Sequence, residues 1–258
     1  MRSSQPSVAE LRAVAQPPEL VGRRSAEHWA GRLYMRRLSA HVTRRVLGLP
    51  VTPNGWTVLM IAVGVAGAAL LAIPGLWTAL AAAAAIQVYL LLDCVDGEVA
   101  RWRGMTSAAG VYLDRLGHYT VEAALLAALG VRVDGGYAAV GLGTVVGLAT
   151  AVLALVSKAE TDLVVVARAS AGLPLGAERD AAPGTSTLRG IRRVFAVAPV
   201  HRIIGGIELS LLAVVAAVVD AVAGGPVGSR VLLAVAAVTA AIVAVGHPVA
   251  VLSSQRLR

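Results

Sequence analysis

Between residues 91 and 118 the sequence reads LLDCVDGEVARWRGMTSAAGVYLDRLGH, which sets Asp93, Asp96, Glu98, Asp114 and His118 beside or inside segments apolar enough to enter lipid. Asp93 and Asp96 are three apart and share one face of a helix. Asp114 and His118 are four apart and share a face of the next. Gly110 lies one turn before Asp114 on that face, and Gly97 adjoins Asp96; glycine at these places lets another group approach the backbone. An ionisable side chain costs about 2.5–3.5 kcal/mol at the centre of a spanning helix, and less near the interface. Three carboxylates without a comparable cluster of arginines would repel one another. A divalent cation removes that repulsion, and carboxylate oxygens suit Mg2+ or Mn2+. Such an ion completes its shell with water and substrate phosphate, so with Arg101 nearby the pattern implies a diphosphate site. The competing reading is a set of helix-end acids that snorkel or pair with Arg101, Arg103 and Arg115.

The elements that must position these groups are membrane spans. The chain has 258 residues, 57% hydrophobic and 15% charged, where soluble domains carry about 25% charged residues. Mean hydropathy is +0.74. A spanning helix needs roughly 20 apolar residues. Stretches at about 55–73, 76–98, 108–131, 136–157, 203–223 and 230–252 fit or nearly fit that length. IPGLW, RVDGG and AGGPVGS break them, and Pro and Gly in tight connections favour antiparallel helix hairpins. The second and third spans are the least apolar, because the acids sit at their ends. The fold class is therefore an all-α integral membrane bundle of six transmembrane helices.

Basic residues set the expected orientation. Nine arginines fall in residues 1–50, two in 99–107, six with Lys158 in 158–202, and two in the tail, whereas the opposite loops hold only Arg132 and Arg230. The positive-inside rule puts both termini and the 99–107 turn in the cytoplasm, with the chain multi-pass in the inner or plasma membrane. The aspartates then lie at the cytoplasmic interface. Residues 1–24 read as a disordered tail. Residues 25–48 read as an amphipathic juxtamembrane helix, with Trp29, Leu33, Leu38, Val42 and Val46 at helical spacing and Arg36, Arg37, Arg44 and Arg45 between them. Its charges favour anionic membrane lipids, and anchoring is preferred over a direct substrate role. Residues 49–253 form the six-helix transmembrane domain, with 170–200 a cytoplasmic connection and 254–258 a tail. The single cysteine, Cys94, permits no intrachain disulfide and no cysteine metal site. The basic residues follow membrane topology, so no nucleic-acid partner is expected.

The run Asp93-x2-Asp96-Gly97-x2-Ala100-Arg101-x8-Gly110-x3-Asp114-x3-His118 resembles the signature of the CDP-alcohol phosphotransferases, D-x2-D-G-x2-A-R-x8-G-x3-D-x3-D, at every fixed position but the last. Thr52, Pro53, Asn54 and Thr57 match the family's TPNxxT opening of the first span. The resemblance covers most of residues 25–253. It implies transfer of a phosphoalcohol, here phosphatidyl, from a CDP-linked donor to an acceptor alcohol with release of CMP. It implies two divalent ions, Mg2+ or Mn2+, and a homodimer. It makes Asp93, Asp96 and Asp114 metal ligands, and it places Gly97, Arg101, Gly110, Asn54 and Thr57 at the CDP site, with Arg101 on a phosphate.

The departure is His118, where the family has an aspartate regarded as the base for the acceptor's hydroxyl and a helper of the second metal. An imidazole titrates near pH 6.5 and can accept a proton at neutral pH. It can also ligate metal, more readily Mn2+ or Zn2+ than Mg2+. His118 is thus the catalytic candidate and a candidate metal ligand. The alternatives are a degenerate member that binds metal or nucleotide without efficient transfer, its second metal lost, and a non-enzymatic transport or structural protein. Candidates for an acceptor phosphate are Lys158, in VSKAE, and Arg202. VSKAE faintly resembles the RAE segment of members that use inositol phosphates, with Lys158 in the arginine's place. Glu98, in DGEVAR, resembles members that work with inositol phosphates and small polar alcohols; the competing reading is a solvated side chain, since on a helix it faces away from Asp96. The acceptor itself stays unnamed.

Overall fold

The computed structural model describes residues 6–17, 29–173, 200–253 and 257. Among these, every regular element is helical. Helix α1 is Val8–Ala15 and α2 is Arg36–Val46, the latter entered through a π turn at Gly31–Met35. The long helices follow: α3 Pro53–Leu71, α4 Leu76–Trp102, α5 Ala108–Val133, α6 Leu142–Ser170, α7 Gly206–Ala223 and α8 Val227–Leu252. A short 3-10 turn, Val200–Ile204, precedes α7. Six spans are expected and six long helices are present. Five of them are long and apolar enough to cross a membrane. The other, α5, has 26 residues, about 39 Å of helix, but it carries Asp114, Arg115, Glu122 and Arg132.

The chain divides into two compact units, one of residues Met1–Ala66 and Ala84–Thr120, the other of Gly67–Ala83 and Val121–Arg258. In the first unit, the tail expected to be disordered contains α1. Ser7 Oγ accepts from the Glu10 amide at 3.2 Å and the Glu10 carboxylate accepts from the Ser7 amide at 2.7 Å, a reciprocal cap that satisfies two orphan donors. Leu11 and Ala15 are fully buried and pack with Ala40, Leu47 and Trp102. That long-range apolar contact is what the local sequence does not reveal. The rest of the expected 1–24 tail, the 174–199 stretch of the connection and most of the C-terminal tail lie outside the described residues.

The juxtamembrane segment is helical from Trp29 onward, with one face packed on protein and its leucines turned outward, as a helix lying on lipid requires. Met35, Ser39, Ala40 and Thr43 are buried, while Leu33 and Leu38 are 63% and 48% exposed. The π turn adds a residue to one helical turn and rotates the register. Small and hydroxyl side chains then face inward, and the leucines face out. Helix α3 opens with Pro53 in its first turn, behind Thr52, whose Oγ1 accepts from the Gly55 amide at 3.1 Å; proline suits that position because its missing donor would be an orphan there anyway. Where α3 and α5 pack, Gly117 leaves room for Met60 and Ile61, since a Cβ there would lie 2.6 Å from Ile61 Cγ1.

In the second unit, small residues bring backbones together. An added Cβ on Gly130 of α5 would overlap the Gly143 carbonyl oxygen and sit 2.9 Å from the Gly147 Cα of α6. Such crossings are typical of membrane helices, where close packing replaces the hydrophobic drive. Asp134 covers the start of α6, accepting from the amides of Gly141, Gly143 and Thr144 at 2.6–3.0 Å and from Thr144 Oγ1 at 2.7 Å. Arg132 is buried. Its guanidinium donates to the Ile73 and Gly75 carbonyls at 2.8 and 2.9 Å and to Ser229 Oγ at 3.1 Å, closing the IPGLW turn.

Candidate metal and substrate site

Helix α4 is amphipathic only at its end. Val95 and Val99 point into the protein and are fully buried, which leaves Tyr89, Asp93, Asp96 with Gly97, and Ala100 with Arg101 along an adjoining face at helical spacing. Helix α5 sets Gly110, Asp114 and His118 on one face by the same rule. All of these residues fall in the first unit.

The ligating atoms of Asp93, Asp114 and His118 lie within 4.8 Å of one another. His118 Nε2 is 3.1 Å from Asp93 Oδ1 and 3.5 Å from Asp114 Oδ1. His118 Nδ1 is 2.5 Å from the hydroxyl of Tyr89. The two rings meet edge to face, with centroids 5.6 Å apart. Tyr89 is a site residue that the motif reading missed. Its position one turn before Asp93 is the signal that could have found it.

Asp96 stands apart from that cluster. It is buried, 7% exposed, and its Oδ2 accepts from Thr57 Oγ1 at 2.6 Å. A cavity of about 270 Å3 opens beside it, lined by Asp93, Asp96 and Asp114, by Arg36 and Arg101, and by Asn54, Thr57, Gly97 and Gly110. Every CDP-site residue expected from the sequence therefore borders one space. The glycines have visible reasons. A Cβ on Gly97 would press on the Arg101 guanidinium at 3.1 Å, and one on Gly110 would sit 3.3 Å from Asn54 Oδ1. Arg101 Nε donates to the Ala15 carbonyl at 2.6 Å, so α1 braces it. Arg103 donates to the Val51 and Leu49 carbonyls at 2.5 and 2.8 Å and holds the chain between α2 and α3.

Glu98 is fully buried. It accepts from Gln16 Nε2 and Thr43 Oγ1, both at 2.7 Å, and from Ser39 Oγ at 2.5 Å. It does face away from Asp96, but into a packed cluster rather than toward solvent. The acceptor candidates fall in the second unit. Lys158 Nζ is 3.0 Å from Glu122, and Arg202 is half-buried in the turn before α7.

Two carboxylates and an imidazole converging at this distance could hold one divalent cation. The Asp96 carboxylate is engaged by Thr57 and is not part of that converging set.

Residues 50–253 match the family model of CDP-alcohol phosphatidyltransferase. The chain belongs to that family, a family of metal-using transferases of phospholipid synthesis, and it is a multi-pass membrane protein. No curated protein matches it.

Proposed function

We propose that the protein transfers a phosphatidyl or similar phosphoalcohol group from a CDP-linked donor to an acceptor alcohol at the cytoplasmic face of the membrane, releasing CMP. The observation that carries this is the single cavity bordered by Asp93, Asp96, Asp114 and Arg101 with the TPNxxT residues Asn54 and Thr57. The acceptor oxygen bonds to the phosphorus that bears the alcohol. The bridging P–O bond breaks, CMP leaves with the bridging oxygen, and the hydroxyl proton passes to a base. Asp93, Asp114 and His118 would hold a divalent cation, with Asp96 in reserve for a second. Bound there, the cation neutralises charge on the phosphoryl oxygens. Arg101, braced by Ala15, sets a fixed positive fork against the donor phosphate. Thr57 fixes the rotamer of Asp96. Tyr89 fixes the ring of His118 at Nδ1 and leaves Nε2 turned toward the carboxylates, where it can take a proton or a metal but not both.

A second reading follows from that last point. His118 already bridges Asp93 and Asp114, so its imidazolium can offset one of their two charges in place of a cation, which describes a degenerate site. CMP release by the purified protein in nanodiscs, with CDP-diacylglycerol, a panel of acceptors and Mg2+ or Mn2+, separates the two. Activity in wild type that is lost in His118→Ala supports a working histidine. Silence in wild type with activity gained in His118→Asp supports the degenerate site.

A further inference from the structure

We propose that Arg36, carried by the juxtamembrane helix α2, is a second binding residue for the donor diphosphate, acting beside Arg101, and that buried Glu98 positions it. This rests on the reading of a CDP-linked donor.

The arginines of α2 divide into two groups. Arg37, Arg44 and Arg45 are exposed, as expected of a helix lying on anionic lipid. Arg36 turns inward and borders the cavity with the three aspartates and Arg101. It lies within electrostatic reach of both Asp93 and Arg101. A diphosphate carries about two charges at neutral pH, and a single planar fork engages one phosphoryl group in bidentate fashion. Among the described residues that line the space, Arg36 and Arg101 are the cationic ones.

The placement of Arg36 is built. Glu98 anchors α2 through Ser39 and Thr43, and draws in Gln16, whose Nε2 also donates to the Arg36 carbonyl at 2.8 Å. With its oxygens engaged by these neutral donors, Glu98 lies 3.8 Å from Arg36 Nη1. That is an ion-pair distance, longer than a hydrogen bond, so Glu98 attracts the guanidinium to the cavity wall by charge. Glu98 is thus a positioning residue for Arg36.

The test is binding of cytidine, CMP and CDP to the full-length protein in detergent with Mg2+ or Mn2+ present, by calorimetry. Arg36→Gln is expected to weaken CDP at least about tenfold, the scale of a lost charge-assisted hydrogen bond, and to leave cytidine within about twofold. Arg36→Lys loses less, because the charge stays and the fork goes. Glu98→Gln weakens CDP in part with cytidine unchanged, whereas Arg37→Gln alters neither. Equal losses for cytidine and CDP in Arg36→Gln would make Arg36 a structural residue of α2 and overturn the proposal. Unchanged CDP affinity in that variant overturns it too, while the donor reading stands. Failure of wild type to bind any of the three ligands removes the donor reading and this proposal with it.

Discussion

His118 has unlike neighbours at its two nitrogens. Nδ1 meets the hydroxyl of Tyr89, and Nε2 faces Asp93 and Asp114. Tyr89 is 4% exposed, so replacing it with Phe leaves Nδ1 without a partner, at a cost of about 1–3 kcal/mol in a buried place. Tyr89→Phe is expected to lower kcat by about tenfold with the donor KM little changed, because the hydroxyl orients the histidine and borders no part of the donor cavity. Steady-state kinetics on the reconstituted protein checks this, and a change confined to KM would contradict it. Asp93→Asn and Asp114→Asn should each lower CMP release more than about a hundredfold, the scale of removing a preorganised charge-stabilising group. At this scale the sequence was readable where chemistry and period coincide. The three aspartates, Arg101 and both glycines border one cavity, although Asp96 stands apart from the Asp93, Asp114 and His118 cluster. Glu98 was not readable: a helical wheel shows which way it faces, but not that Ser39 and Thr43 come from 59 and 55 residues away to meet it.

The helices show which local signals are sufficient. The long apolar runs and their Pro and Gly breaks specify five of the long helices by composition alone, while α5 carries charges that keep it below that mark. The start of α6 shifts from the expected 136 to Leu142 because Asp134 gathers the free amides of that helix start, a side-chain choice that hydropathy does not register. Thr144's hydroxyl first, then its amide and those of Gly143 and Gly141, hold the Asp134 carboxyl below the usual carboxylate range. A lowered folded-state pKa contributes stability that is fully present above the unfolded value, near 3.9, and is lost as pH falls through the folded value. Asp134→Asn is therefore expected to lower the thermal unfolding midpoint at pH 7, with the gap to wild type closing in acid below the ordinary carboxylate range. A constant gap across that window would assign the effect to geometry instead of charge. Gly130 makes a complementary case. Alanine is better by about 1 kcal/mol in a helix interior, yet Gly130→Ala should destabilise. The new methyl meets the Gly143 carbonyl of α6, and overpacking of this kind costs about 1–3 kcal/mol.

At the scale of the whole molecule, the arrangement of charge is the basis for the proposed cytoplasmic placement of the site. Arg132, counted in the sequence as one of two arginines on the opposite side, is 2% exposed and spends its donors on the turn between α3 and α4. Its presence there answers a structural need, so it does not weigh against the orientation we propose from the nine arginines of residues 1–50 and the seven basic residues of 158–202. The sequence showed the charge asymmetry but could not show which arginine was buried. The single cysteine makes the orientation directly measurable. Cys94 is 4% exposed, and Cys94→Ala removes the background label. On it, Val140→Cys probes the α5–α6 connection at a residue 83% exposed, and Met105→Cys probes the α4–α5 turn at one 48% exposed. A membrane-impermeant maleimide added to intact cells is expected to label Val140→Cys and spare Met105→Cys, with both reacting after permeabilisation. The reverse pattern would put the aspartates on the outer face, away from the cytoplasmic pool of nucleotides, and would remove the physical basis for a CDP-linked donor.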